Sequence, residues 1–419
     1  MIKAPRGTQD IMPGISVKWR YIESVAIKTA ENYGYSEIKT PIFEDTSLFS
    51  RSVGEYTDIV EKEMYTFIDK GERSITLRPE GTSAVARAYI EHNIDNSLTW
   101  KIFYTGPFFR YERPQSGRYR QHYQFGAEAI GSSSYLVDFE VIKMAFDLFE
   151  KLGLKNLIVR INSICCEKCR PDYLNELKEY FKGNICSMCD NCNRRLEKNT
   201  LRILDCKNPA CRQIIDSSPK NSDNICSDCR DHHEGLKNLL NEFNVKFQED
   251  HLLVRGLDYY TKTVFEVVSS SLGSQNTVCG GGRYDKLIKQ LGSKDIPAVG
   301  FALGMERIAL ILEKENPGFF TENKNRILII GFEEIDQMHK INLLYKLRSM
   351  DIIADLDYNS RSFKSQMKLA DRMGYDFAVI IGEDEVKNNY YTLKDLKTGV
   401  QQKVSENELI IITGGEKTK

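Results

Sequence analysis

At 419 residues the chain is too long for one ordinary hydrophobic core, so two or three domains are expected. Its 58 basic and 59 acidic residues leave a net charge of −1, which excludes nucleic-acid binding by overall charge and leaves that task to local patches. No run approaches the roughly 18 apolar residues of a membrane span, and Met1–Gly7 lacks the apolar core of a signal peptide, so a soluble, cytoplasmic protein without a membrane partner is expected.

Residues 17–34 place Trp19, Ile22, Val25, Ala26 and Ala30 at helical spacing and stop at Tyr33-Gly34. Tyr35–Ile42 reads as a strand interrupted by Pro41, which suits an edge or a bend. Thr76–Arg78 reads as a strand, and Glu80–His92 as a helix opened by Pro79. Lys101–Phe109 and Gln121–Ile130 then read as two strands joined by a polar loop that holds Arg110, Glu112, Arg113, Arg118 and Arg120. A strand-borne arginine beside a mobile basic loop suits a triphosphate, because its planar fork grips one phosphate while the loop closes on the rest. From these residues alone, an arginine-rich surface hairpin serves equally well.

A helix is predicted over 134–152 and a short strand over Ile158–Asn162, with strands resuming at His251–Arg255, Thr263–Ser269 and Thr277–Cys279. Val299–Ile308 is a small-residue strand and turn running into a helix with Arg307 in its first turn. The pattern is α+β: a largely antiparallel sheet with peripheral helices. No GxxxxGK[ST] loop is present, so a P-loop fold is not expected. The polar stretch near 316–325 reads as a linker. Beyond it, strands at Arg326–Gly331, Ile352–Leu356 and Phe377–Ile381 alternate with helices over 336–350 and 362–373, the mark of a small α/β domain. Lys364, Lys368 and Arg372 form one possible RNA-facing stripe, although a solvated helix face is the more ordinary reading.

Ten of the eleven cysteines fall between 165 and 229, which favours metal in a reducing compartment over dispersed disulfides. Cys166 and Cys169, Cys189 and Cys192, Cys206 and Cys211, and Cys226 and Cys229 form four close pairs. The spacing suits one tetrahedral zinc site from the middle two pairs and another from the outer two, both structural because four thiolates leave no open position. Buried free cysteine is the plainer alternative. Cys165, Cys186 and Cys279 are left over.

The arginine hairpin and the strand-to-helix stretch ending at Arg307 together resemble motifs 2 and 3 of the class II aminoacyl-tRNA synthetases. Arg255-Gly256-Leu257-Asp258-Tyr259-Tyr260 with Thr263–Glu266, and Gly280-Gly281-Gly282-Arg283-Tyr284-Asp285, are similar to the two signatures of the histidyl-tRNA synthetase family; Thr76–Thr82 and Pro5–Asp10 match it as well. The resemblance implies a class II antiparallel-sheet catalytic domain over 1–320 containing a cysteine-rich insertion over 164–232, then an anticodon-binding α/β domain over 325–419. It also implies activation of L-histidine with ATP, transfer to the 3′ end of tRNA(His), and a homodimer built on the first helix, the following strand and Pro41.

Carried over residue by residue, the resemblance puts Arg110 on the α-phosphate, Arg307 on the γ-phosphate, Glu112 on the adenine amino group and Phe125 against the base. Arg118 and Arg120 join the ATP set, with Mg²⁺ on the β- and γ-phosphates. Arg255 takes the place of a catalytic magnesium between the α-phosphate and the substrate carboxylate. Glu128 and Tyr260 read the two ring nitrogens of histidine; Glu80 and Thr82 take its ammonium, with Gly81 also in the histidine-binding set, Gln124 its carboxylate or ammonium, and Tyr259 and Tyr284 the walls. A pocket built on hydrogen bonds rejects ligands that lack them by roughly 10⁴–10⁵, so no editing domain is required. A buried carboxylate is costly unpaired, so Glu128 is expected to be engaged by a neighbour or water. Three alternatives stand beside this reading. A histidine-binding regulatory paralogue of an ATP phosphoribosyltransferase usually lacks the C-terminal domain and the arginines. Another class II synthetase would not carry the segment Arg255–Tyr260, and a zinc-knuckle RNA-binding protein leaves the ATP residues idle.

Overall fold

Eight segments of alternating or small-residue character join into one sheet: β1 (Ser36–Glu37), β2 (Trp100–Phe109), β3 (Gln121–Ile130), β4 (Leu157–Ser163), β5 (Phe247–Glu249), β6 (Thr261–Ser269), β7 (Thr277–Arg283) and β8 (Ala298–Gly304). Their order is β1-β2-β3-β8-β7-β6-β4-β5, antiparallel except for the two short edge strands β1 and β5, each of which runs parallel to its neighbour. The computed structural model describes residues 2–54, 57–95, 97–114, 117–269, 277–315, 325–332, 337–359 and 361–414. The linker expected near 316–325 lies outside these residues except for Asn325. The chain divides into two units, Met1–Phe320 and Thr321–Lys419.

Alternation along β3 decides which side of the sheet holds what. Phe125, Ala127 and Ala129 are fully buried in the main core, among side chains of the helices Ile15–Asn32, Tyr135–Lys151 and Met305–Glu315. Gln124, Gly126 and Glu128 therefore point to the opposite face, where Tyr104, Tyr259, Tyr260 and Tyr284 form a second apolar cluster. The helix Thr82–Glu91 starts two residues later than its sequence suggests. Its opening turn is capped by Glu80, whose carboxylate accepts from the Thr82 and Ser83 amides at 2.8 Å each.

Two expected strands fail for identifiable reasons. Of Tyr35–Ile42 only Ser36–Glu37 joins the sheet; past Pro41, Phe43–Asp45 pairs with Ser74–Leu77 in a separate three-stranded sheet. His251–Arg255 is turn and loop, because Asp250 closes a turn onto Leu252 and Leu253. The apolar character of that run serves packing: Leu253 lies in the tyrosine-lined cluster, while Leu252 and Val254 lie against the insertion.

Arg283 is fully buried, and its guanidinium pairs with the equally buried Asp138 and donates to the Ser132 and Ser134 carbonyls at 2.8 and 3.0 Å. His232, on the helix Ser227–Glu242, lies 2.6 Å from the same Asp138. Satisfied in this way, a buried charge fixes the strand end that carries Tyr284.

In the second unit, strands Ile353–Leu356, Arg326–Gly331 and Phe377–Ile381 lie side by side in parallel, and Tyr391–Asp395 and Gln401–Val404 add an antiparallel hairpin. Helices Gln337–Ser349 and Phe363–Arg372 make the crossovers. Among the described residues no helix is long and apolar enough to cross a membrane.

Candidate functional site

A cavity of about 110 Å³ opens on the tyrosine-lined face of the sheet. Its walls include Glu80, Gly81, Thr82, Arg110, Gln124, Arg255, Tyr259, Tyr260 and Tyr284, which are separated by up to two hundred positions in the chain. Glu128 stands behind this wall, 1% exposed, and accepts from the Thr82, Tyr104 and Tyr284 hydroxyls at 2.8, 3.1 and 2.6 Å. Burial pushes its carboxyl up to about 8, against the pull of those donors. Its space exists because Gly300 faces it across the sheet; a Cβ there would overlap the carboxylate. The carboxylate has neighbours, as its burial requires, and all three are hydroxyls.

Arg255 pairs with Glu266, the strand neighbour that also accepts from Thr277 Oγ1 at 2.9 Å. Gly280 leaves room for its guanidinium, and any side chain there would strike it. Arg255 Nε and Gln124 Oε1 are both buried and have no hydrogen-bond partner among the described residues. One unfilled donor and one unfilled acceptor lining the same cavity mark the position of a polar ligand. Arg110 enters from the end of β2, held by its Nε donating to the Pro79 carbonyl at 2.8 Å. Arg307 lies at the edge of this group, bonded to the Thr277 carbonyl; burial holds its guanidinium below its ordinary value, assisted by the charge of Arg118.

Glu112 and Arg118 pair at 3.3 Å within the loop. Arg120 stacks its guanidinium 3.7 Å from the Tyr111 ring centroid, donates to the Glu112 carbonyl at 3.3 Å and reaches the Arg6 carbonyl, tying the loop to the N-terminal segment. Phe125 corrects the sequence reading. It faces the main core, stacked on Phe103 with centroids 5.6 Å apart, and is on the wrong side of β3 to meet a base. Counting by twos along β3 puts His122 on the site face, against Phe108 and beside Arg110, with burial and then the Arg110 charge pushing its ring down to about 3. Period-two counting from Glu128 could have found it. Tyr104 was missed because nothing local distinguishes it from an ordinary strand residue, and Glu266, although inside a signature segment, was given no role because its pairing with Arg255 is made only in the fold.

The eight paired cysteines converge as two groups, Cys166, Cys169, Cys226 and Cys229, and Cys189, Cys192, Cys206 and Cys211, with the sulfurs of each group within 4.8 Å of one another. In the first, Cys166 lies 3.7 Å from Cys169 and 3.8 Å from Cys226, and Cys169 lies 3.9 Å from Cys229. Four thiolates about 2.3 Å from zinc define a tetrahedron with edges of about 3.8 Å. The donor set therefore fits that ion. A second cavity, of about 280 Å³, runs between the insertion and the site, sharing Arg255, Leu257 and Tyr260 with the first and lined also by Arg170, Lys178, Lys198 and Arg202. Lys364, Lys368 and Arg372 are all exposed on their helix.

A family model described as histidyl-tRNA synthetase matches residues 7–308, and an anticodon-binding domain model matches 326–412. The chain is 48% identical to a histidine–tRNA ligase of Halothermothrix orenii over 98% of each chain. It is likewise 48% identical to one from Clostridioides difficile, again over 98% of each. Among solved structures, the histidyl-tRNA synthetase of S. aureus aligns with TM-score 0.82 at 39% identity, covering 99% of this chain and all of that one.

Proposed function

Since the chain belongs to the histidyl-tRNA synthetase family, and so activates L-histidine with ATP and transfers it to tRNA(His) with release of AMP and diphosphate, we propose the following roles for its residues. The observation that carries them is the pair of unfilled polar atoms, Arg255 Nε and Gln124 Oε1, in a cavity shared with Arg110.

In the first step a carboxylate oxygen of histidine attacks the α-phosphorus of ATP, which arrives as its magnesium complex, and diphosphate leaves with the bonding electron pair. Charge builds on the equatorial oxygens, so fixed cations are needed there. Arg110 takes the α-phosphate. Arg255 bridges that phosphate and the substrate carboxylate, its fork held square by Glu266. Arg307 takes the γ-phosphate at the rim, and Arg118 follows when its pairing with Glu112 yields to the nucleotide; Glu112 then meets the adenine amino group. His122 lies where a base would stack. Glu128 and Tyr260 read the imidazole nitrogens, Glu80 and Thr82 the ammonium, and Gln124 the carboxylate end. In the second step the 3′ end of tRNA attacks the adenylate carbonyl, and a phosphate oxygen of the adenylate accepts the proton. We assign the basic cavity beside the insertion to the entry of that end.

The two thiolate groups are assigned to structural zinc. Thiolates held by metal and not by disulfides suit a reducing, cytoplasmic setting. The decisive assay is amino-acid-dependent exchange of pyrophosphate into ATP. Exchange is expected with histidine, and exchange with proline, threonine or glycine instead would overturn the pocket assignment.

A further inference from the structure

The chain leaves the catalytic sheet at the end of β4 and returns on the helix Ser227–Glu242, whose Leu236 and Leu240 lie in the main core. The outer thiolate group sits at that neck, with Cys166 and Cys169 on the outgoing segment and Cys226 and Cys229 on the returning one. Arg170 follows Cys169 directly and opens the helix Arg170–Asn184. Its guanidinium turns back and donates to the Ile164 carbonyl at 3.1 Å, the Cys165 carbonyl at 3.3 Å and the Tyr260 carbonyl at 2.5 Å. Beside it, Ile164 and Cys165 exchange amide bonds of 2.7 and 2.9 Å with Lys262. Both Cys165 and Lys262 adopt left-handed backbone, φ 67° and 47°, which the surrounding contacts must enforce.

The Tyr260 side chain lines the histidine cavity while its main chain hangs from Arg170. We propose that the outer thiolate site acts on histidine binding: zinc there closes the neck and fixes Arg170, a positioning residue that sets Tyr260 in the pocket. The inner site, at Cys189, Cys192, Cys206 and Cys211, reaches the pocket loop through a side chain alone, Asn199 donating to Asp258 at 2.7 Å, and not through the Tyr260 main chain. This inference rests on the zinc assignment above, and the experiment separates the two.

Metal content and histidine affinity are measured on full-length protein purified under reducing, chelator-free conditions, comparing wild type with Cys226→Ser, Cys206→Ser, Arg170→Gln and Arg170→Lys. Two zinc ions are expected in wild type and one in each cysteine variant. Cys226→Ser and Arg170→Gln should weaken histidine binding and raise its KM in pyrophosphate exchange by roughly tenfold, with the ATP KM little changed. Cys206→Ser should raise the histidine KM by clearly less than Cys226→Ser does, and Arg170→Lys should recover part of the loss; equal losses in the two cysteine variants overturn the assignment of the effect to the outer site. Metal-free wild-type protein overturns the zinc assignment and this proposal with it. A Cys226→Ser protein that has lost one ion yet binds histidine normally overturns the coupling alone. Because Arg170→Gln leaves all eight thiolates in place, normal histidine binding there rejects the positioning role even should the cysteine variant fold poorly.

Discussion

Glu128 couples recognition to proton binding. Burial lifts its carboxyl from 4.5 to about 8, so between those values the folded protein holds a proton that the unfolded chain releases. Its contribution to stability is complete below the lower value and is lost as pH rises through the upper one. Glu128→Gln removes the titration, so the thermal midpoint of wild type should fall further than that of the variant between about pH 4.5 and about pH 8. Parallel declines would mean that the carboxyl titrates as it does in water. Arg255 makes a different kind of prediction, because it is already charged and paired. Arg255→Ala should slow histidine-dependent exchange by roughly 10²–10³ while tRNA affinity stays within about twofold. Equal losses in both would assign Arg255 to scaffold instead of chemistry. The clustering of Arg110, Arg255, Glu80 and Gln124 was legible as residue types in signature segments. The face of Phe125 was not, since a one-position error on a strand exchanges core for cavity.

At the scale of elements, the long hairpin was readable almost to the residue, Lys101–Phe109 being observed as Trp100–Phe109 and Gln121–Ile130 without change. Length and aromatic content made it so. Leu252, Leu253 and Val254 misled because an apolar run is needed both by a strand and by a loop wedged between two cores. The polar edge strand Gln401–Val404 left no signal, having a single buried side chain, Val404. The four cysteine pairs gave a correct grouping because thiolate spacing encodes geometry more directly than hydrophobicity does. The three-stranded sheet supplies a further test. Phe43 and Phe67, 57 and 47% exposed, share one face of that sheet through the register of Phe43 with Leu77 and Phe67 with Ile75, an exposed aromatic pair that fits the expected homodimer interface. Phe43→Glu with Phe67→Glu should shift the mass seen by light scattering from two chains toward one; an unchanged mass would move the interface elsewhere.

For the molecule as a whole, a net charge of −1 leaves tRNA binding to local patches of cations, the role proposed above for those along the insertion cavity. The catalytic sheet is ordered by contacts far apart in the chain, Arg283 to Asp138 among them, so no fragment of the first unit holds the site by itself. The neck at Cys166 and Cys226 has the opposite character. Sulfurs sixty positions apart come within 3.8 Å, so the excursion between them departs from and returns to a single point. Closing such a loop costs only about 0.6 kcal/mol more for each doubling of its length. The insertion is thereby a cassette: it can be lengthened, shortened or exchanged beyond the clasp while the strands that carry Glu128 and Glu266 keep their register.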